Sequence, residues 1–163
     1  MTTRYKIHQK LVSIGDDFWI ENAEGKRVFK VDGKVLRISK TLVFEDASGK
    51  KLCQIKERLL TIKDTMVIED PHGRDIATVK KALISPLRDK WNVNVKGGED
   101  LVVQGNILDL EYNIKQGRKK VAEVSKKWFS ITDAYGVEIE AGQNDILILA
   151  VAIAIDMMAH DEA

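Results

Sequence analysis

Asn144-Asp145-Ile146-Leu147-Ile148-Leu149-Ala150-Val151-Ala152-Ile153-Ala154-Ile155-Asp156-Met157-Met158 is the stretch whose reading decides the fold. Ten consecutive apolar residues, Ile146 to Ile155, leave no polar stripe, so the segment must be wrapped on every side. Asn144 and Asp145 are good N-cap residues, the alanines and leucines suit a helix, and the run is longer than the usual buried strand. The stretch therefore reads as a helix. From Ile146 to Met158 it would be roughly 20 Å long at 1.5 Å per residue, short of the ~20 apolar residues that a bilayer span needs. A core helix fits better than a membrane anchor.

Upstream, Gly25, Gly49 and Gly73 lie 24 residues apart, and Gly136 repeats their surroundings. The copies read FWIENAEGKRV, LVFEDASGKKL, MVIEDPHGRDI and FSITDAYGVEI. Each has an Asx residue three positions before the Gly (Asn22, Asp46, Asp70, Asp133) and apolar residues at alternate positions before that. Alternation indicates strands, and an Asx-initiated turn closed by Gly predicts a β-hairpin with a bulged turn in each copy. Asp32-Gly33-Lys34 marks another turn, Pro86 must lie outside a central strand, and Gly97-Gly98 follows an alternating run from Trp91 to Val95. Ile107 to Ile114 reads as one further run, and Val121 to Val124 leads through Ser125-Lys126-Lys127 to Trp128 and Phe129. The count is about ten to twelve strands and one helix, with turn signals every 8 to 12 residues, as in an all-β barrel or sandwich.

The two observations join. A barrel much larger than about eight strands leaves a lumen that something must fill, and a helix apolar on all sides is a suitable plug. Closure also removes the exposed edges of a long meander. The expected inward residues are Phe18, Ile20, Phe29, Val31, Leu42, Phe44, Ile55, Met66, Ile68, Val79, Phe129 and Ile131, with Cys53 an inward small hydrophobe.

A family resemblance is carried by GDDFWI (Gly15 to Ile20) with VDGK (Val31 to Lys34), ERLL at Glu57 to Leu60, GNILDLEY at Gly105 to Tyr112, AEVSKKWF at Ala122 to Phe129, YGVEI at Tyr135 to Ile139 and LAVAIAID at Leu149 to Asp156. In this order, over nearly the whole chain, these blocks resemble the LURP-one-related family, which is similar to tubby C-terminal domains and phospholipid scramblases. The resemblance implies a mainly β fold, a closed antiparallel barrel of about twelve strands around a central hydrophobic C-terminal α-helix. It implies no settled activity. Tubby-like domains bind phosphoinositide headgroups through surface basic residues. Scramblase-like members carry an acidic calcium segment near the helix, where this chain has only Asp156, Asp161 and Glu162.

Composition bounds the rest. The 163 residues, 44% hydrophobic, suit one domain spanning 1–163. Twenty-six basic residues against twenty-five acidic ones leave no global field for nucleic acid or anionic membranes, so any such binding needs a local patch. A lone cysteine excludes an internal disulfide, and Met1 to Gly15 holds no hydrophobic signal core, so a cytoplasmic protein is expected. His8, His72 and His160 lie at no metal-ligand spacing, and no nucleophile elbow, phosphate loop or dinucleotide fingerprint is present. No catalytic residue, metal or cofactor is expected, and no nucleic-acid partner, since Trp91, Tyr112 and Trp128 at alternating strand positions read as core.

The candidate ligand-binding residues are Arg118, Lys119, Lys120, Lys126 and Lys127, two basic runs flanking Val121 to Val124, where an anionic headgroup or phosphate could sit. Their plainer reading is a solvated strand face that discourages edge pairing. The leading expectation is a non-enzymatic binding barrel for an anionic lipid headgroup or a protein partner. The alternative is a small-molecule carrier or enzyme with its site at a barrel mouth near Asp156 and His160, although an acid directly after an apolar run more simply ends the buried segment.

Overall fold

The computed structural model describes residues 2–8, 18–32, 41–57, 65–83, 89–128 and 134–160. Their strands are β1 (Thr2–His8), β2 (Phe18–Glu21), β3 (Arg27–Asp32), β4 (Thr41–Asp46), β5 (Lys51–Glu57), β6 (Thr65–Glu69), β7 (Asp75–Leu83), β8 (Asp89–Val95), β9 (Leu101–Asn106), β10 (Glu111–Gln116), β11 (Lys119–Ser125) and β12 (Ala134–Glu140). One helix, α1 (Asp145–His160), follows them. Each strand pairs with its sequence neighbours, and β1 pairs antiparallel with β12 from Thr2↔Glu140 to His8↔Ala134, which closes a twelve-stranded barrel. The expected barrel, rather than a sandwich, is what forms.

The 24-residue repeat is visible as three hairpins of one design. Asn22, Asp46 and Asp70 each accept backbone N–H bonds at Oδ1 from residues two and four positions on, at 2.8–3.1 Å. Gly25, Gly49 and Gly73 close these turns at φ between 81° and 90°, which a side chain would strain. A β-bulge follows Ile20, Phe44 and Ile68 at the same place in each hairpin, as an Asx-Gly bulged turn requires.

The fourth copy behaves differently. Gly136 is no turn residue: it lies inside β12, paired with Lys6 on one side and Ser125 on the other. The reason is in its neighbours, since Tyr135, Val137 and Ile139 form an apolar alternation running straight across it. The run Ile107 to Ile114 also divides. Ile107 to Leu110 is a turn, with Asp109 N–H bonded to Asn106 Oδ1 at 3.2 Å and Leu110 at φ 55°, and the strand starts at Glu111. Ile107 and Leu110 are buried, so the apolar pattern belongs to a turn folded over the core.

Asn144 caps α1, accepting Leu147 N–H at its side chain and Ile148 N–H at its carbonyl, both at 3.1 Å. Every residue from Ile148 to Asp156 is buried, as an all-apolar helix inside a barrel must be. The helix packs against β5, β6, β7 and β12. At its start the Tyr5 hydroxyl donates to Asp145 Oδ2 at 2.6 Å, tying the helix to β1; burial first, and then this bond, push Tyr5 well above the usual tyrosine range.

Ile20, Val31, Leu42, Phe44, Ile55, Met66, Ile68 and Val79 are all core residues. Phe29 is half-buried and bridges Tyr5 and Phe44, with ring centroids 5.8 and 5.3 Å away. The side chain of Phe18, and Phe129 and Ile131 altogether, lie outside the described residues, as do the Gly33-Lys34 turn and Pro86. Cys53 is buried, and that burial pushes its thiol up to about 12, so it stays protonated and acts as a small hydrophobe.

Each fully buried Ile or Leu of α1 contributes about 1.5–3 kcal/mol by burial. Ile153→Ala is expected to cost about 2–5 kcal/mol in denaturant unfolding, and Ile153→Asp to yield insoluble protein. The turns give a second prediction. Asp46 is held below the usual carboxylate range, chiefly by the Ser48 hydroxyl and then by Lys50 N–H, and Asp70 chiefly by Arg74 N–H. Their turns are thus intact at neutral pH and above the ordinary carboxylate value, and loosen only as pH falls through the lowered folded-state values. NMR titration should place both carboxyls below an ordinary Asp, and Ser48→Ala should move Asp46, not Asp70, back upwards.

Candidate functional site

The basic candidates sit at the two ends of β11, not in one cluster. Arg118, in the β10–β11 turn, and Lys119 and Lys120, which open β11, are exposed at the mouth where α1 begins. Lys126 and Lys127 follow the strand, roughly 23 Å away at about 3.3 Å per residue. Glu123 divides them: Lys120 Nζ and Lys127 Nζ each lie 3.4 Å from one of its carboxylate oxygens. That row is partly neutralised, whereas Arg118 and Lys119 form no ion pair among the described residues.

The far end of β11 is fixed to the outer wall. Glu111 Oε1 accepts from the Ser125 hydroxyl and from Lys126 N–H at 2.9 and 3.0 Å, and Ser125 Oγ accepts Lys127 N–H at 3.1 Å. The Arg4 guanidinium stacks 4.5 Å from the centroid of a Trp128 ring while donating to Glu138 at 2.6 Å. Lys127 also lies over Trp128, at 5.8 Å. Trp128 is therefore pinned beneath two cations, occupied by the protein's own charges.

Beside Arg118 and Lys119 the mouth holds a pocket of about 270 Å³. Its floor is apolar, built from Ile76, Val95, Leu101 and the first turn of α1 at Leu147 and Ile148; Lys96, Glu99, Gln116 and Gln143 stand at its rim. Gln116 pairs with Lys119 across the β10–β11 turn, which sets the basic turn next to the opening. The rim is polar, with one cation and one carboxylate, so the cations that an amphiphile's anionic end would meet are Arg118 and Lys119 beside it.

Asp156 is not at a mouth. It lies one turn inside the end of α1, 2% exposed, where the Tyr135 hydroxyl donates to Oδ2 at 3.4 Å. Tyr112 lies in the same interior layer. Gly105 makes room for it: its φ is +147°, and a Cβ there would come within 2.7 Å of Glu111 O and Tyr112 Cα. His8 meets Glu21 at 3.3 Å on the barrel wall, His72 is an exposed turn residue, and the side chain of His160 is outside the described residues. Among the described residues no group of three His, Cys, Asp or Glu side chains is arranged to hold a metal.

The sequence model of the LURP-one-related family matches residues 3–156. The chain belongs to that family. Among solved structures, an X-ray structure of an Arabidopsis thaliana protein superposes with a TM-score of 0.71 at 20% identity, over 95% of this chain and 90% of the other. That likeness speaks for the barrel fold and no further. No curated protein sequence matches the chain. The family blocks now have places: GNILDLEY is the Gly105 constriction and its turn, AEVSKKWF is β11 with its pinned end, YGVEI crosses β12, and LAVAIAID is the buried body of α1. Among the described residues no helix is long and apolar enough to cross a membrane.

Sequence reasoning missed the mouth pocket, because its lining comes from four places far apart in the chain. Lys96, Gln116 and Gln143 carry no local signal. The Tyr135–Asp156 contact was accessible in part, since Tyr135 shares the inward register of Val137 and Ile139. Gly105→Ala is expected to destabilise the barrel by about 1–3 kcal/mol or more, because the constraint is both steric and conformational, while Gly98→Ala, where a Cβ meets only Val95 Cγ1 at 3.4 Å, stays near wild type in thermal unfolding.

Proposed function

We propose that the protein is a non-enzymatic, cytoplasmic binding barrel that takes an anionic lipid headgroup at the mouth where α1 begins, with Arg118 and Lys119 as its principal cationic contacts. One observation carries this reading: two exposed basic residues without ion-pair partners among the described residues stand beside an apolar-floored pocket. At about 270 Å³ the pocket is smaller than the usual range for drug-sized ligands, so it holds part of an amphiphile while the charged end stays at the rim. Lys120 and Lys127 contribute less, because Glu123 already occupies them. Lys126 lies on the wall near the other end of β11 and serves as a charge control.

The family's kinship with tubby-like domains supports the same class of ligand. A carrier or enzyme with its site near Asp156 draws less support, because Asp156 is enclosed in the barrel and held by Tyr135. A catalytic acid must reach its substrate.

Each basic residue near an anionic bilayer contributes about 1 kcal/mol, and the attraction weakens with salt. In flotation at physiological ionic strength, wild-type protein should rise with phosphoinositide-containing vesicles and not with neutral phosphatidylcholine. Arg118→Glu with Lys119→Glu should reduce binding by roughly tenfold or more, and Lys126→Glu should change it little. Equal binding by the double variant, or no flotation of the wild type, would remove this reading.

A further inference from the structure

The outer wall carries a second groove, separate from the mouth and independent of the function proposed there. It runs over β9, β10 and β11, holds about 250 Å³, and is lined by Gln104, Glu111, Asn113, Lys115 and Glu123, with Gly105 and Tyr112 between them. Strand alternation puts these side chains outside: Tyr112 and Ile114 are core residues, so Glu111, Asn113 and Lys115 point outward. Asn113 stands directly opposite Gln104 on β9 and Glu123 on β11. Gly105, next to Gln104, brings no side chain into the space.

The polar groups of this groove are largely unspent. Gln104 and Asn113 face each other across neighbouring strands, yet neither side-chain amide has a hydrogen-bond partner among the described residues, and neither has the Lys115 ammonium. All three are half-buried. Elsewhere on the wall a comparable amide is used, since Gln54 donates to Glu69 on the adjoining strand. Glu111 accepts the Ser125 hydroxyl and Lys126 N–H at Oε1 alone, and Oε2 has no partner among the described residues. Glu123 is already balanced by Lys120 and Lys127.

We propose that this groove binds a neutral saccharide, with one sugar ring seated against Gln104 and Asn113. Charge selects the class. Within the lining, Glu111 and Lys115 lie on either side of Asn113, roughly 13 Å apart along β10, and Glu123 sits between Lys120 and Lys127. Around it, Lys90 stands opposite Gln104 on β8, and Asp109 is held by Asn106 in the turn before β10. The two signs interleave, so any compact ion meets its own sign as well as its opposite, whereas a neutral guest meets no repulsion. Hydrogen bonding selects the rest. Each amide offers two donors and a carbonyl acceptor, and neighbouring sugar hydroxyls both donate and accept; Glu111 adds an acceptor and Lys115 a donor. A nucleobase has nothing to stack on, because Tyr112 turns its ring into the core. With no aromatic platform, binding rests on hydrogen bonds exchanged with water, which sets Kd on the order of millimolar.

The test is an NMR titration of the isotope-labelled full chain with glucose, galactose, mannose and maltose. At least one sugar should shift the side-chain amide signals of Gln104 and Asn113 saturably at millimolar concentration. The signals of Arg118 and Lys119 should stay in place, which keeps this result separate from lipid binding at the mouth. Gln104→Ala and Asn113→Ala, both on the outer face, should each weaken binding about fivefold, the effect of one lost hydrogen bond, while thermal unfolding stays near wild type. Should one variant unfold early, the other carries the comparison. Glucose phosphate, the same ring with an anionic group added, should bind no more tightly than glucose. Tighter binding of the phosphate, unchanged affinity in a folded variant, or no saturable shift with any of the four sugars into the tens of millimolar overturns the inference.

Discussion

Everything in this structure depends on mutual burial between a helix with no polar face and a sheet with no edge. Neither is stable without the other. The helix from Ile148 to Asp156 has no side that water could tolerate, and twelve strands closed on themselves enclose more space than their own side chains fill. The inward residues of β4 to β7 and the apolar body of α1 therefore form one core. Tyr5–Asp145 fixes the helix where it enters, and Tyr135–Asp156 holds it near its end.

Around that core, chemistry is distributed by turn type. The mouth where α1 starts is ringed by tight turns, three of them Asx-initiated hairpins of one design, so its geometry is set by local hydrogen bonds. Such a rim can carry side chains in fixed positions, and it places Lys96, Glu99 and Gln116 around an apolar floor, with Arg118 in the neighbouring turn. The wall is different. There cations and carboxylates alternate and satisfy one another, as in Arg4–Glu138 and Lys120–Glu123–Lys127.

The alternation of Leu42-Phe44, Met66-Ile68 and Trp91-Val93-Val95 was legible because each pair of residues settles its own face. So was α1, whose length and apolarity leave few alternatives. Gly136 misled because a local motif matched while the apolar alternation of Tyr135, Val137 and Ile139 ran through it; a period of two outweighs one glycine. Ile107 to Leu110 misled for the opposite reason, since a short apolar stretch can belong to a turn that folds over a core, with Ile107 and Leu110 buried three positions apart and Leu108 exposed between them. Asp156 looked like the end of burial because polarity alone cannot tell a helix end from a buried residue whose partner, Tyr135, lies on β12. For the site, sequence supplied the basic residues but not their separation: β11 carries Arg118 and Lys126 to opposite ends of the barrel, a distance that follows only once the segment is known to be extended.

The closing pair of strands has a consequence for how the chain is made. Within the barrel, β1 is synthesised more than a hundred residues before its partner β12, and the plug comes later still. Long-range pairing of this kind is slow to form, because chain closure must precede any stabilising contact. The early hairpins can assemble as they leave the ribosome, but their greasy inner surfaces have nothing to rest against until the final element arrives. Nascent chains of this architecture are thereby held open by their own order of synthesis, and a stalled or truncated translation product is an adhesive half-shell in need of a chaperone.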